Sequence, residues 1–92
     1  MELKGTLVNQ SLIDKGFKAK EGSKHIFYQY YSDGKKTIMT TFMSRPPSPI
    51  GDKLISKMAT QTKLSRPQFI DLVKCPLTKE GLREIYEKKE LL

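Results

Sequence analysis

Residues 22 to 25 read Gly-Ser-Lys-His, and His25 is the single histidine of this 92-residue chain. Imidazole titrates near pH 6.5 in an ordinary setting, so it takes up and releases protons around neutrality, where no other side chain does so unaided. That suits removal of a ribose 2′-hydroxyl proton or protonation of a leaving 5′-oxygen. Lys24 and Lys20 bring positive charge beside it, while Gly22 and Ser23 offer backbone and hydroxyl donors. Together they are the groups that hold a phosphate and stabilise charge developing on it. Such cleavage needs no metal and no cofactor. One positioned acid–base group contributes about 10² to 10⁴ in rate, which describes a slow nuclease. The plain alternative is an exposed histidine at a strand start with no role.

The residues after His25 extend the theme. "HIFYQYY" carries three of the four tyrosines, and period-two alternation puts His25, Phe27, Gln29 and Tyr31 on one strand face and Ile26, Tyr28 and Tyr30 on the other. Tyr31, on the histidine's face, is the candidate for stacking on an unpaired base, while the other tyrosines suit sheet packing. Which face is covered is left open by the alternation, since neither is purely polar. Lys35 and Lys36 beside the hairpin turn, and Lys53 and Lys57 on the helix that follows, are candidates for gripping phosphates.

The formal charge of +7 is concentrated in the same region. Residues 15–36 hold six lysines against Glu21 and Asp33, and residues 44–67 hold Arg45, Lys53, Lys57, Lys63 and Arg66 against Asp52. A located excess of this kind fits a polyanionic partner such as RNA, with a merely solvated basic face as the alternative. A lone cysteine excludes an internal disulfide, and there is no spacing for a metal site, so a cytoplasmic setting is expected. Cys75, before Pro76 and without an activating histidine, is not a nucleophile. There is no secretory h-region and no apolar run long enough for a bilayer, so no membrane partner is expected.

These residues need a scaffold to position them. Leu3, Leu7, Val8, Leu12 and Ile13 predict a helix over 3–15, closed by Gly16. "FKAK", "HIFYQYY" and "KTIMTTFM", the last two joined by "SDG", predict a three-stranded antiparallel meander. After the proline-rich "SRPPSP", Ser48 and Pro49 suit the N-cap and first turn of a helix burying Ile50, Leu54, Ile55 and Met58. Ser65 and Gln68 have capping-box spacing before Phe69, Leu72 and Val73. A last helix starts near Thr78 and buries Leu82, Ile85 and Tyr86, with a tail expected to fray. The fold class is α+β in a single domain, 1–92, with residues 63–92 as a helical C-terminal extension.

The order helix, "KGF", basic turn, "GSKH" before an aliphatic–aromatic strand, "DG" hairpin and third strand resembles the HicA-type toxins of bacterial and archaeal toxin–antitoxin pairs. The likeness covers residues 6–58, and its most specific element is Gly22-Ser23-Lys24-His25. Those proteins are small mRNA interferases with a double-stranded-RNA-binding-domain-like fold, each inhibited by a HicB-type partner. The resemblance implies an α-β-β-β-α order with helices on one face of the sheet, plus one or two extra C-terminal helices. It implies that His25 is catalytic, that the substrate is single-stranded mRNA, and that a HicB-like antitoxin is the protein partner. "FMSRPPSPIGDKL" keeps only the glycine and leucine of the family's next helix start. The other reading is a non-catalytic RNA-binding or protein-interaction module on the same scaffold.

Overall fold

A computed structural model of the protein describes residues 1–74 and 76–92; Cys75, excluded above as a nucleophile, lies outside the described residues. The first helix, α1 (Gly5–Asp14), ends at Lys15, whose N–H donates to the Ser11 carbonyl, and Gly16 follows at φ +110°. A side chain is strained at that angle, so glycine makes the corner from helix to strand. The chain then runs through β1 (Phe17–Glu21), β2 (His25–Ser32) and β3 (Lys35–Ser44), paired antiparallel in the order β1-β2-β3. Asp33 and Gly34, both at positive φ, form the expected two-residue hairpin turn between β2 and β3.

Three helices follow: α2 (Asp52–Gln61), α3 (Arg66–Lys74) and α4 (Lys79–Lys88). The Ser65–Gln68 capping box forms as read. The Ser65 N–H donates to Gln68 Oε1 at 2.9 Å, and the Gln68 N–H donates to Ser65 Oγ at 3.2 Å. Thr78 Oγ1 likewise accepts from the Gly81 N–H at 3.0 Å and caps α4.

Two helix boundaries differ from the pattern for one reason. Leu3 and Ile50 exchange backbone hydrogen bonds of 2.9 and 2.8 Å in an isolated antiparallel bridge. Both are therefore extended, so α1 begins at Gly5 and Ser48 and Pro49 do not cap α2. Gly51 occupies the N-cap, and no side chain caps it. Gly5 permits the close approach, since a methyl group there would lie 2.3 Å from the Ser48 carbonyl oxygen. Leu7 and Ile13, expected inside, are exposed; α1 buries Val8, Ser11 and Leu12 against β1 and α3 instead. The tail is held, not frayed, at Leu91, which packs on the core and donates its N–H to the Tyr86 carbonyl.

All four helices contribute to one buried cluster behind the sheet. It takes Phe17, Ile26, Tyr28, Tyr30, Met39 and Met43 from the strands and Leu12, Met58, Phe69 and Tyr86 from the helices. The methionines are core filler, as expected. Polar groups drawn into this layer are paired. Ser11 Oγ donates to the Val73 carbonyl at 2.8 Å, and Lys15 Nζ donates to the Leu77 carbonyl at 2.5 Å and the Leu72 carbonyl at 3.4 Å. Tyr86 Oη donates to the Thr62 carbonyl at 2.7 Å, and burial pushes that phenol far above its ordinary pKa. Among the described residues, no helix is long and apolar enough to cross a membrane.

Candidate nucleic-acid interface

Helices cover one face of the sheet only, and this decides the question that the alternation of β2 leaves open. Ile26, Tyr28 and Tyr30 point into the core, whereas His25 and Phe27 are exposed and Gln29 and Tyr31 are half-buried on the outer face. Tyr28 Oη donates to Asn9 Oδ1 at 2.5 Å, and burial, reinforced by the Glu21 carboxylate, pushes its pKa up to about 12. Tyr28 and Tyr30 are structural residues.

Strand register arranges the outer face in rows. Lys20, Phe27 and Phe42 lie opposite one another across the three strands; Lys18, Gln29 and Thr40 form the next row; Tyr31 and Lys36 form the third. Successive rows are two residues apart along β2, about 6.7 Å. Phe27 and Phe42 stack obliquely with centroids 5.8 Å apart, and Phe27 is 48% exposed despite its size. A large apolar ring is left in water here without a helix to cover it. Cations sit over the rings: Lys18 Nζ is 4.3 Å from the Tyr31 centroid, and Lys57 Nζ is 5.7 Å from that of Phe42. The rows line a shallow concavity of about 620 Å³.

His25 stands at one corner of this face. Its imidazole meets the Phe42 ring edge-on at 5.3 Å and lies 6.1 Å from Phe27. The loop before it is held from two sides. The Gly22 N–H donates to the His25 carbonyl at 2.8 Å, while Arg45 donates from Nη1 to the Gly22 carbonyl at 2.9 Å and from its backbone N–H to the Lys24 carbonyl at 3.0 Å. Arg45 also pairs with Glu21 at 3.7 Å across the surface. These bonds fix the loop while leaving the imidazole, Ser23 and Lys24 exposed.

The fold brings together only some of the candidates. Lys20, Tyr31 and Lys36 line the concavity, His25 borders it through its ring contacts, and Lys57 reaches it over Phe42. Ser23 and Lys24 lie in the loop that leads into His25. Lys35 instead lines a separate depression between the hairpin and α4, with Arg83 and Glu87. Lys53, exposed in the first turn of α2, does not line the aromatic concavity.

Phe27, Phe42, Lys18, Gln29 and Arg45 complete the site and were not singled out from sequence. Phe27 and Gln29 were legible as sharing the face of His25. Phe42 joins them only through the β2–β3 register, and Arg45 only through its contacts with the 22–24 loop. Among the described residues there is no group of three or more His, Cys, Asp or Glu placed to hold a metal ion.

No family model, curated protein or solved structure matches this chain.

Proposed function

We propose that the outer sheet face binds single-stranded RNA and that His25 cleaves the strand lying across it, in the manner of a HicA-type mRNA interferase. The observation that carries this reading is the placement of the one imidazole, exposed, at the corner of a surface built from aromatic rings and lysines. Unpaired bases present their π-faces to Phe27, Phe42 and Tyr31, while lysines meet the phosphates; base–aromatic stacking of this kind is worth about 1–3 kcal/mol per base. A duplex keeps its bases stacked internally and cannot use such a platform.

The chemistry follows from having one proton acceptor. A nitrogen of His25 takes the proton of a ribose 2′-hydroxyl, the 2′-oxygen attacks the adjacent phosphorus, and the bond to the 5′-oxygen breaks. The leaving oxygen takes a proton from water. The products are a 2′,3′-cyclic phosphate and a 5′-hydroxyl, and the imidazolium returns its proton to solvent. Lys24, next in the chain, balances negative charge gathering on the phosphoryl oxygens. A HicB-like antitoxin that covers this face would stop the reaction by excluding the strand.

A second reading keeps the binding and drops the scission. It is favoured by the two ring contacts of His25, which are those of a stacking residue. One experiment separates the two: a labelled single-stranded RNA is incubated with the purified protein, and binding and strand scission are both followed. Under the first reading His25→Ala abolishes scission, leaves binding within a few-fold, and melts at the parent temperature. Scission unchanged in His25→Ala removes the imidazole from the mechanism, and tight binding without scission by the parent protein selects the second reading.

A further inference from the structure

The middle row of the outer face is polar, and it is flanked by aromatic residues on both sides. Gln29 is its centre, with Lys18 opposite on β1 and Thr40 opposite on β3. The pairing of β2 with β3 is irregular just beyond it: Gln29 faces Thr40 but Tyr31 faces Lys36, so β3 carries two extra residues between these pairs. Bulges of this type re-aim side chains beside functional surfaces.

The bulge has a consequence for the Gln29 amide. Gln29 Nε2 donates to the Thr37 carbonyl at 3.1 Å, and the same threonine donates its hydroxyl to the Tyr30 carbonyl at 2.8 Å and accepts from the Met39 N–H at 3.3 Å. A backbone carbonyl only accepts, so the bond to Thr37 determines which end of the amide is nitrogen. The opposite end, Oε1, receives no hydrogen bond from the described residues, and it is open to solvent on a residue that lines the concavity. The half-buried amide thus presents a fixed acceptor, with the Thr40 hydroxyl as its cross-strand neighbour.

We infer that Gln29 reads the base lying between the two aromatic rows, accepting a hydrogen bond from an exocyclic amine and so favouring cytosine or adenine over uracil. Cytosine offers an N4 amine as donor beside the N3 acceptor, which the Thr40 hydroxyl can meet as donor. In the same placement uracil puts its O4 carbonyl where cytosine has the amine; its N3–H is met by the Thr40 hydroxyl as acceptor, but Oε1 and O4 then face each other with no proton between them. A polar group left unpaired in this way costs discrimination that stacking cannot supply, because every base has a π-face. The inference rests on the reading of this face as an RNA platform.

The test compares two pyrimidines, whose stacking surfaces are alike. Fluorescein-labelled decamers of 2′-O-methylcytidine and 2′-O-methyluridine, which cannot undergo attack by a 2′-hydroxyl, are titrated with the full chain and followed by anisotropy. The parent protein is expected to bind the cytidine decamer about tenfold more tightly, the effect of one hydrogen bond worth about 1.4 kcal/mol. Gln29→Leu should bring the two affinities within twofold while leaving the salt dependence unchanged, and Gln29→Met should do the same if the leucine variant folds poorly. Equal affinities in the parent, or a preference that survives both substitutions, overturns the role of Gln29 while the platform stands. Binding of neither decamer overturns the platform and this inference with it.

Discussion

The two faces of β2 offer a comparison within one strand. Ile26, Tyr28 and Tyr30 alternate with His25, Phe27, Gln29 and Tyr31, and both sets are rich in aromatic rings. On the inner face the rings are enclosed by helices, and the Tyr28 hydroxyl is bonded to Asn9. On the outer face the rings have lysine ammonium groups over them and open water beyond. Both sides thus carry aromatic rings, and only the inner side has them covered. One side is covered by the chain's own helices, and the other is left open to solvent.

Substitutions at adjacent residues should separate the faces most sharply. Tyr28→Ala empties a fully enclosed site and loses the bond to Asn9, so a loss of about 3–5 kcal/mol is expected in denaturant unfolding. Phe27→Ala, one residue away, should change stability by less than about 1 kcal/mol, because the ring is half in water already. Equal losses would mean that the outer face is part of the core.

The inner face should also respond to alkali. Burial raises the phenol pKa of Tyr28 to about 12, and those of Tyr30 and Tyr86 rise for the same cause. The folded state therefore holds these protons more tightly than the unfolded chain, whose phenols titrate near pH 10. All three contributions are fully present below pH 10; that of Tyr28 is lost as pH climbs through 12, and those of Tyr30 and Tyr86 are lost as pH rises through their own raised values. Circular dichroism against pH should show cooperative unfolding in that window, and Tyr86→Phe, which cannot ionise, should move it upward.

Binding gives the converse test. Phe27→Ala and Phe42→Ala should each weaken single-stranded RNA binding by about 1–3 kcal/mol with the melting temperature nearly unmoved. The smallest effect belongs to the lysines. Replacing Lys18 or Lys20 with alanine should lower the slope of log affinity against log salt by about 0.7 for each phosphate that is no longer neutralised. The same change at Lys35, which lies toward α4, should leave the slope as it was. A slope that falls equally for Lys20 and Lys35 would move the phosphate path off the aromatic face.

Much of the fold was legible because its signals are local. The Asp33–Gly34 turn, the glycine after α1, the Ser65–Gln68 capping box and the Thr78 cap each involve residues within about four positions of one another, and all appear where expected. The same holds for the alternation in β2 and for His25 at the strand start. What was misread depends on residues far apart in the chain. Ser48 and Pro49 have the chemistry of a helix start, yet Ile50 is pulled into a bridge by Leu3, 47 positions earlier. Leu7 and Ile13 look like core residues until α3 and β1 take the other side of α1.

The candidate site divides in the same way. Composition and order alone determined a basic, aromatic, three-stranded α+β protein with a single imidazole beside a glycine–serine–lysine turn, because propensity, turn chemistry and charge act through neighbours in sequence. The tertiary structure decided which side of β2 is free, which rings meet and which lysines stand over them. Those outcomes depend on where four helices pack and on a register set across strands. Burial is a property of the assembled chain, and no short stretch of residues carries it.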